Sequence, residues 1–260
     1  MICRMMHNNL RASRGAVVDI DPHEVLIRKL KEHSRLGKDD MAEIRALRFS
    51  PRLLSANEDI VRQGDRPNVS VLVAGGMVAR YHLLPSGRRQ YLAFHLAGDM
   101  PDSQALFVDQ MDHAVCAIGP AKVVSILHRD LLAAFERQSS LAFAIWRETL
   151  IDAAIFREAI TNNSARSTEA RIAHLFCELC YRSRASGLSS GKTCDAPITL
   201  GQWGEALGMS LATVNRTLSE MRASGFADFK HGQIIIRDWD SLVALAEFNP
   251  AYLHLKRSPL

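Results

Sequence analysis

From Ser140 to about Asn163 the chain runs without a glycine or a proline, and its apolar residues cover most of a helical circumference. Ile145, Thr149, Phe156 and Ile160 share one face, with Trp146, Leu150 and Ala154 beside them. A helix apolar on so much of its surface has to be covered on two sides. The neighbouring domain supplies one cover, and a partner helix in a homodimer supplies the other. Complete burial inside one monomer is the alternative. Ile145, Thr149, Phe156 and Ile160 are therefore the expected dimerisation residues.

The texture on either side of this helix differs. Residues 1–20 show no periodicity and read as a leader. After Asp21-Pro22 the apolar positions Val25, Leu26, Leu30, Leu36, Ile44 and Leu47 recur at helical intervals, with Asp39-Asp40 marking a helix start. Between about Asn57 and Leu127 short β-rich runs take over, among them Val69–Val73, Met77–Leu83, Tyr91–Leu96, Val115–Ile118 and Val123–Leu127. Turn signals such as Gly64-Asp65-Arg66-Pro67, Gly75-Gly76 and Pro85-Ser86-Gly87 separate them. Short strands at close, even spacing suggest a small barrel or a double-sheet roll.

Beyond the long helix, Asn162-Asn163-Ser164 breaks the pattern and reads as a hinge. A helix from about Thr168 to Ser186 follows, then a Ser/Gly-rich loop from Gly187 to Pro197. Residues 198–236 carry denser signals. Thr199 is an N-cap whose capping box Gln202 completes. Trp203 and Leu207 give that helix an apolar face, Gly204 admits a close neighbour, and Gly208 permits a left-handed turn. Ser210 caps a second helix whose Val214, Leu218 and Met221 point inward. Leu211, Ala212, Thr213, Asn215 and Arg216 are left on its N-terminal, outer part. This arrangement suits a recognition helix that enters a major groove by its N-terminal end. Phe226–Phe229 and Gln233–Arg237 then flank Lys230-His231-Gly232, a hairpin with a basic tip that can reach phosphate. The expected contacts to double-stranded DNA are Thr199, Ser210, Leu211, Ala212, Thr213, Asn215, Arg216, Arg222, Lys230 and His231.

Composition limits the alternatives. A formal net charge of +4 permits nucleic-acid binding without demanding it. No apolar run approaches the ~20 residues of a bilayer crossing, and the N-terminus lacks a secretory pattern, so no membrane association and a cytoplasmic location are expected. The five cysteines, odd in number and irregularly spaced, argue against a disulfide framework. No catalytic motif or acid–base pair stands out, so an enzyme is not expected.

The order of parts resembles the cyclic-AMP receptor and fumarate-nitrate regulator (Crp/Fnr) superfamily, over about residues 25–245. The stretches that carry the resemblance are Gly64-Asp65, Phe94–Asp99 and Leu207–Leu218. It implies an α+β fold: an N-terminal β-roll like a cyclic-nucleotide-binding jelly roll, a long dimerisation helix, and a C-terminal winged helix-turn-helix. The expected divisions are a flexible leader 1–22, a sensor domain 23–138, the long helix and hinge 139–164, a DNA-binding domain 165–248 and a tail 249–260. The implied function is a dimeric transcription regulator, with RNA polymerase as a partner if it activates. A sensor module with a non-transcriptional role is the alternative. In that family the recognition-helix arginine reads a guanine edge, and the matching residue is Arg216; a phosphate contact is the other reading. The glutamate usual four positions earlier is replaced by Ala212, and Asn215 precedes the arginine, so the family's usual operator is not implied.

The sensor's ligand signatures do not match. The Gly-Glu and Arg-Ser pairs that hold a cyclic nucleotide become Asp102-Ser103 and His113-Ala114, although a buried phosphate calls for a guanidinium fork. An iron-sulfur cluster needs clustered N-terminal thiolates, and Cys3 stands alone there. Cys177 and Cys180, at i and i+3, read as buried packing residues, while Cys116 and Cys194 stand apart. Arg88-Arg89 read as a solvated hairpin tip, and His82, His95 and His113 as structural or surface residues. No cofactor is expected, and the barrel's ligand is left open.

Overall fold

The computed structural model describes residues 20–189 and 191–259, so most of the expected leader lies outside the described residues. Two helices open the chain, α1 (Pro22–Lys31) and α2 (Lys38–Ala46). Asp21 caps α1 by accepting from His23 N at 3.0 Å, and Gly37 N donates to Asp40 Oδ2 at 2.7 Å at the start of α2. Seven strands follow: β1 (Ser50–Leu54), β2 (Asp59–Val61), β3 (Val69–Gly75), β4 (Val78–Leu83), β5 (Arg89–His95), β6 (Ala114–Ala117) and β7 (Ala121–Leu127). They form two antiparallel sheets, in the orders β1-β7-β3 and β2-β6-β4-β5. This is the expected double-sheet roll. β1 and β2 had no counterpart among the expected strands: Ser50-Pro51-Arg52 is exposed, and β2 is only three residues long.

One core, with Leu72, Val124 and Ile126, packs the β1-β7-β3 sheet against α1, α2, α3 (His128–Arg137) and the start of α4 (Ser139–Ala165). A second fills the roll with Val61, Val71, Val73, Val78, Val115 and Val123. These valines suit the pleated, doubly covered positions they occupy.

The long helix α4 matches its expected span, but Ile145 does not face a partner. It is buried beside Leu141 and Ala144 in the core shared with α1 and α3. Thr149 and Phe156 are half-buried, Phe156 beneath the Arg80 guanidinium at 5.3 Å, and of the four expected dimerisation residues only Ile160 is fully exposed. The exposed stripe runs instead through Phe143, Trp146, Leu150 and Ile160. The hinge is also displaced. Asn162 and Asn163 stay helical because their side chains serve tertiary contacts, donating to Arg171 O and Ala206 O at 3.2 Å each. The chain breaks at Arg166-Ser167, where Ser167 caps α5 (Thr168–Ala185) by accepting from Ala170 N.

The C-terminal half comprises α5, β8 (Thr193–Asp195), α6 (Leu200–Leu207), α7 (Leu211–Ala223), β9 (Ala227–Lys230), β10 (Gln233–Ile236) and α8 (Trp239–Ala246). Its small sheet has the order β8-β10-β9. The strand β8 lies inside the segment read as loop: it pairs antiparallel with β10, and its Cys194 forms a disulfide with Cys180 of α5. That disulfide corrects the reading of Cys194 as isolated and Cys180 as simple packing. Cys177 remains a buried free thiol, which burial pushes up to about 12. The supposed tail contributes as well: Leu253 is buried, and Tyr252 donates its hydroxyl to Glu178 at 2.8 Å. Among the described residues, no helix is long and apolar enough to cross a membrane.

A buried ionic chain joins the two halves. Arg182 of α5 donates to Asp99 at 2.7 Å and to Glu178 at 3.1 Å. Asp99, in the turn after β5, also accepts from Leu96 N at 2.8 Å and faces Lys29 of α1 at 3.0 Å. Lys29 reaches Glu148 of α4 at 3.3 Å, and His33 meets the same carboxylate at 2.6 Å. Burial works against the Asp99 charge, but Lys29 and Arg182 outweigh it and hold the carboxyl well below the usual range.

Candidate nucleic-acid interface

The helix-turn-helix forms as its residues dictate. Gln202 N donates to Thr199 Oγ1 at 3.2 Å, and Thr199 N donates back to Gln202 Oε1 at 2.8 Å, completing the capping box of α6. Gly208 ends the helix at φ 66°, ψ 37°. Gly204 is obligatory for a different reason: a Cβ there would lie 2.6 Å from Met209 O, so only glycine lets the turn close over α6. Thr213 N donates to Ser210 Oγ at 3.1 Å, which caps α7. Val214, Thr217, Leu218 and Met221 are buried against the domain.

The opposite face of α7 is open. Leu211, Ala212, Asn215 and Arg216 are exposed, and Thr213 is half-buried. Leu211 is 54% exposed although apolar, and the Arg216 side chain is 66% exposed. Arg216 makes a loose approach to Glu220, at 4.0 Å, and acts at longer range on Glu169, so its fork can turn outward. Asn215 is exposed and donates to Leu211 O at 3.0 Å, so its amide oxygen is not used in that bond.

The hairpin β9–β10 places Lys230 and His231 at an exposed tip, with His231 at φ 52°. Arg222, an expected DNA contact, is in part committed to the protein: its Nε donates to Asp228 Oδ1 at 2.7 Å. Asp228 is 1% exposed and gathers two further cations, Lys230 at 3.6 Å and Arg237 at 3.7 Å. Burial disfavours its charge, but the Arg222 hydrogen bond, the Phe229 N–H and the nearby cations lower its pKa overall. One internal carboxylate thus fixes three cations on one side of the domain. Sequence reasoning missed Arg237 and the organising role of Asp228; the only signal was an acid alternating with Lys and Arg across a short hairpin.

The domain rests on the sensor sheet by its other side. Trp203 of α6 is buried between Phe94 of β5 at 6.2 Å, Phe176 of α5 at 5.2 Å and Phe229 at 5.6 Å. Gln202 donates to the Tyr91 hydroxyl at 3.2 Å, and Gln90 donates to Glu205 O at 2.6 Å. This docking covers α6 and leaves α7 and the hairpin uncovered.

Comparison with known proteins agrees with this geometry. Residues 170–245 match the model of the Crp-like helix-turn-helix domain, and residues 51–138 match that of the cyclic nucleotide-binding domain. The chain belongs to the Crp/Fnr superfamily. It is 24% identical over 239 residues to Electron transport regulator A of Shewanella oneidensis, covering 92% of this chain and 95% of that one. It is 23% identical over 211 residues to the Fumarate and nitrate reduction regulatory protein of Vibrio cholerae, covering 81% and 84%. The solved structure of FixK2 from Bradyrhizobium japonicum superposes with a TM-score of 0.68 at 25% identity, covering 76% of this chain and 98% of that one. This Crp/Fnr member is a DNA-binding transcription regulator.

The roll holds several buried polar groups. His113 is buried, bonded to Gln104 at 3.1 Å and Asp112 at 2.6 Å, and burial lowers its pKa. Asp102 is buried and accepts from Val71 N at 2.7 Å. The roll's buried guanidinium, Arg80, is spent on Pro101 O at 2.6 Å and on Asp152 of α4. Arg89 is not the solvated tip residue expected: it stacks on Tyr81 at 4.4 Å and faces Asp59 at 3.5 Å, whereas Arg88 is exposed. His95 is buried and His82 exposed, as structural and surface residues. Among the described residues no three His, Cys, Asp or Glu side chains are grouped to hold a metal.

Proposed function

We propose that this regulator works as a homodimer and reads a two-fold symmetric operator with α7, Arg216 contacting a guanine edge and Asn215 an adjacent base. The observation that carries the reading is the division of α7 into a buried face through Val214 and a free outer face through Leu211, Asn215 and Arg216. An arginine fork on guanine O6 and N7 and an amide on adenine N6 and N7 fit those side chains. Lys230, His231 and Arg237 supply phosphate contacts that position the helix.

The exposed residues Phe143, Trp146, Leu150 and Ile160 of α4 support dimerisation. With Ala153 and Arg157 between them they follow alternating steps of three and four, the seam of a two-helix coil. This seam replaces the one drawn through Ile145.

The sensor is proposed to take neither a cyclic nucleotide nor an iron-sulfur cluster. A nucleotide phosphate would meet a buried carboxyl at Asp102 and a histidine at His113, while Arg80 is already paired with Asp152. Cys180 and Cys194 are joined, Cys116 and Cys177 are buried, and among the described residues none of them belongs to a group of three or more His, Cys, Asp or Glu side chains. RNA polymerase is the expected partner where the operator position makes the protein an activator, and the cytoplasm its location.

The test is salt-dependent binding to operator DNA by wild type and Arg216→Ala. The variant should lose about 1–3 kcal/mol of discrimination at one base position. Loss spread evenly over all sequences would assign Arg216 to phosphate instead.

A further inference from the structure

Where β2, the Gly64–Pro67 turn and β3 meet the residue before Ser103, the roll opens a groove of about 320 Å³. That lies within the size range of small-molecule sites. Its walls are apolar: Ile60, Val61, Pro67, Val69 and Val71. Three charged residues also line it, and of these only the Asp102 carboxyl is buried, at 1% exposed. Among the described residues that carboxyl takes a single hydrogen bond from another residue, from Val71 N. Asp65 and Arg66 stand at the exposed mouth with opposite charges and give it no net sign.

We infer that this groove is the sensor's ligand site and that it takes a small organic cation, a primary ammonium on an apolar body seated against Asp102. A carboxylate in an apolar groove is costly alone and is repaid by a buried charge-assisted partner. Burial raises the Asp102 carboxyl to about 7, because Arg80 behind it only partly offsets the desolvation. The groove lining carries two acids, Asp65 and Asp102, against the single cation Arg66, the reverse of what a nucleotide phosphate requires. This rests on the reading of the roll as the sensor, and the test reads ligand binding directly, apart from DNA.

The experiment is calorimetric titration of the full-length protein with phenethylamine, its neutral isostere 2-phenylethanol, and cyclic AMP. Each is repeated on Asp102→Asn and on Val69→Trp, which fills the groove with the carboxyl intact. Circular dichroism checks folding. Phenethylamine is expected to bind at least about 10-fold more tightly than the alcohol, since charge-assisted contacts are roughly twice as strong as neutral ones. That preference should vanish in Asp102→Asn, and Val69→Trp should bind neither. The inference is overturned if phenethylamine gives no saturable binding, if it binds no better than the alcohol, if its preference survives Asp102→Asn, or if cyclic AMP saturates the wild type. Should Asp102→Asn fail to fold, Val69→Trp decides alone, and amine binding undiminished there overturns the site.

Discussion

Replacing Arg182 by methionine tests how the two halves of the molecule are held. The guanidinium makes charge-assisted bonds to Asp99 at 2.7 Å and Glu178 at 3.1 Å, and all three side chains are under one-tenth exposed. Removing one partner of a buried ion pair costs about 3–5 kcal/mol, because the remaining charge is left uncompensated. Here Asp99 retains Lys29 at 3.0 Å and Leu96 N at 2.8 Å, and Glu178 retains the Tyr252 hydroxyl. Burial already raises the Glu178 pKa, so that carboxyl can take up a proton once Arg182 is gone. The expected loss therefore lies at the lower end, about 3 kcal/mol. Urea unfolding followed by circular dichroism should show a lower midpoint with an unchanged slope. The control is Arg137→Met, which breaks an exposed pair with Glu43 and should cost no more than about 1 kcal/mol. Equal losses for Arg182→Met and Arg137→Met would refute the argument that this chain of charges joins the sensor to the DNA-binding domain.

Three further outcomes follow from the same geometry. Gly204→Ala should cost about 1–3 kcal/mol by overpacking against Met209 O, and should weaken DNA binding as α7 is displaced; unchanged thermal unfolding and binding would contradict it. Burial first, then Arg166, lowers His174 to about 4. Because the unfolded chain binds that proton near the ordinary 6.5, the stability it governs is present above pH 6.5 and is lost as pH falls toward 4. His174→Gln should flatten that part of the acid limb in urea titrations at stepped pH. Trp146→Glu and Leu150→Glu should convert the sedimenting species from dimer to monomer without unfolding it, whereas Ile145→Glu should unfold the chain.

Local signals were legible wherever a residue acts on its own neighbours. The Thr199–Gln202 box, the Gly208 turn and the Ser210 cap all involve residues within a few positions of one another, and each formed as read. The β-rich runs were legible because short apolar runs rich in β-branched and aromatic residues, bounded by turn signals, suit covered strands. What failed depended on distant partners. Asn162 and Asn163 look like helix breakers until Arg171 O and Ala206 O are brought to them. Cys194 stands alone in sequence and meets Cys180 only when β8 docks beside α5. The face of α4 was misplaced because its apolar residues nearly encircle it, and periodicity alone does not say which stripe meets the roll. Arg237 joins the basic surface through Asp228, an arrangement visible only once the hairpin closes.

The central claim is that α7 reads base edges through Arg216. Its most direct test is base-by-base competition on the preferred operator, comparing wild type with Arg216→Ala at several salt concentrations. The variant should no longer distinguish guanine at one position in each half-site, while the slope of log affinity against log salt is unchanged. A slope reduced by about one unit, with base preferences intact, would contradict it.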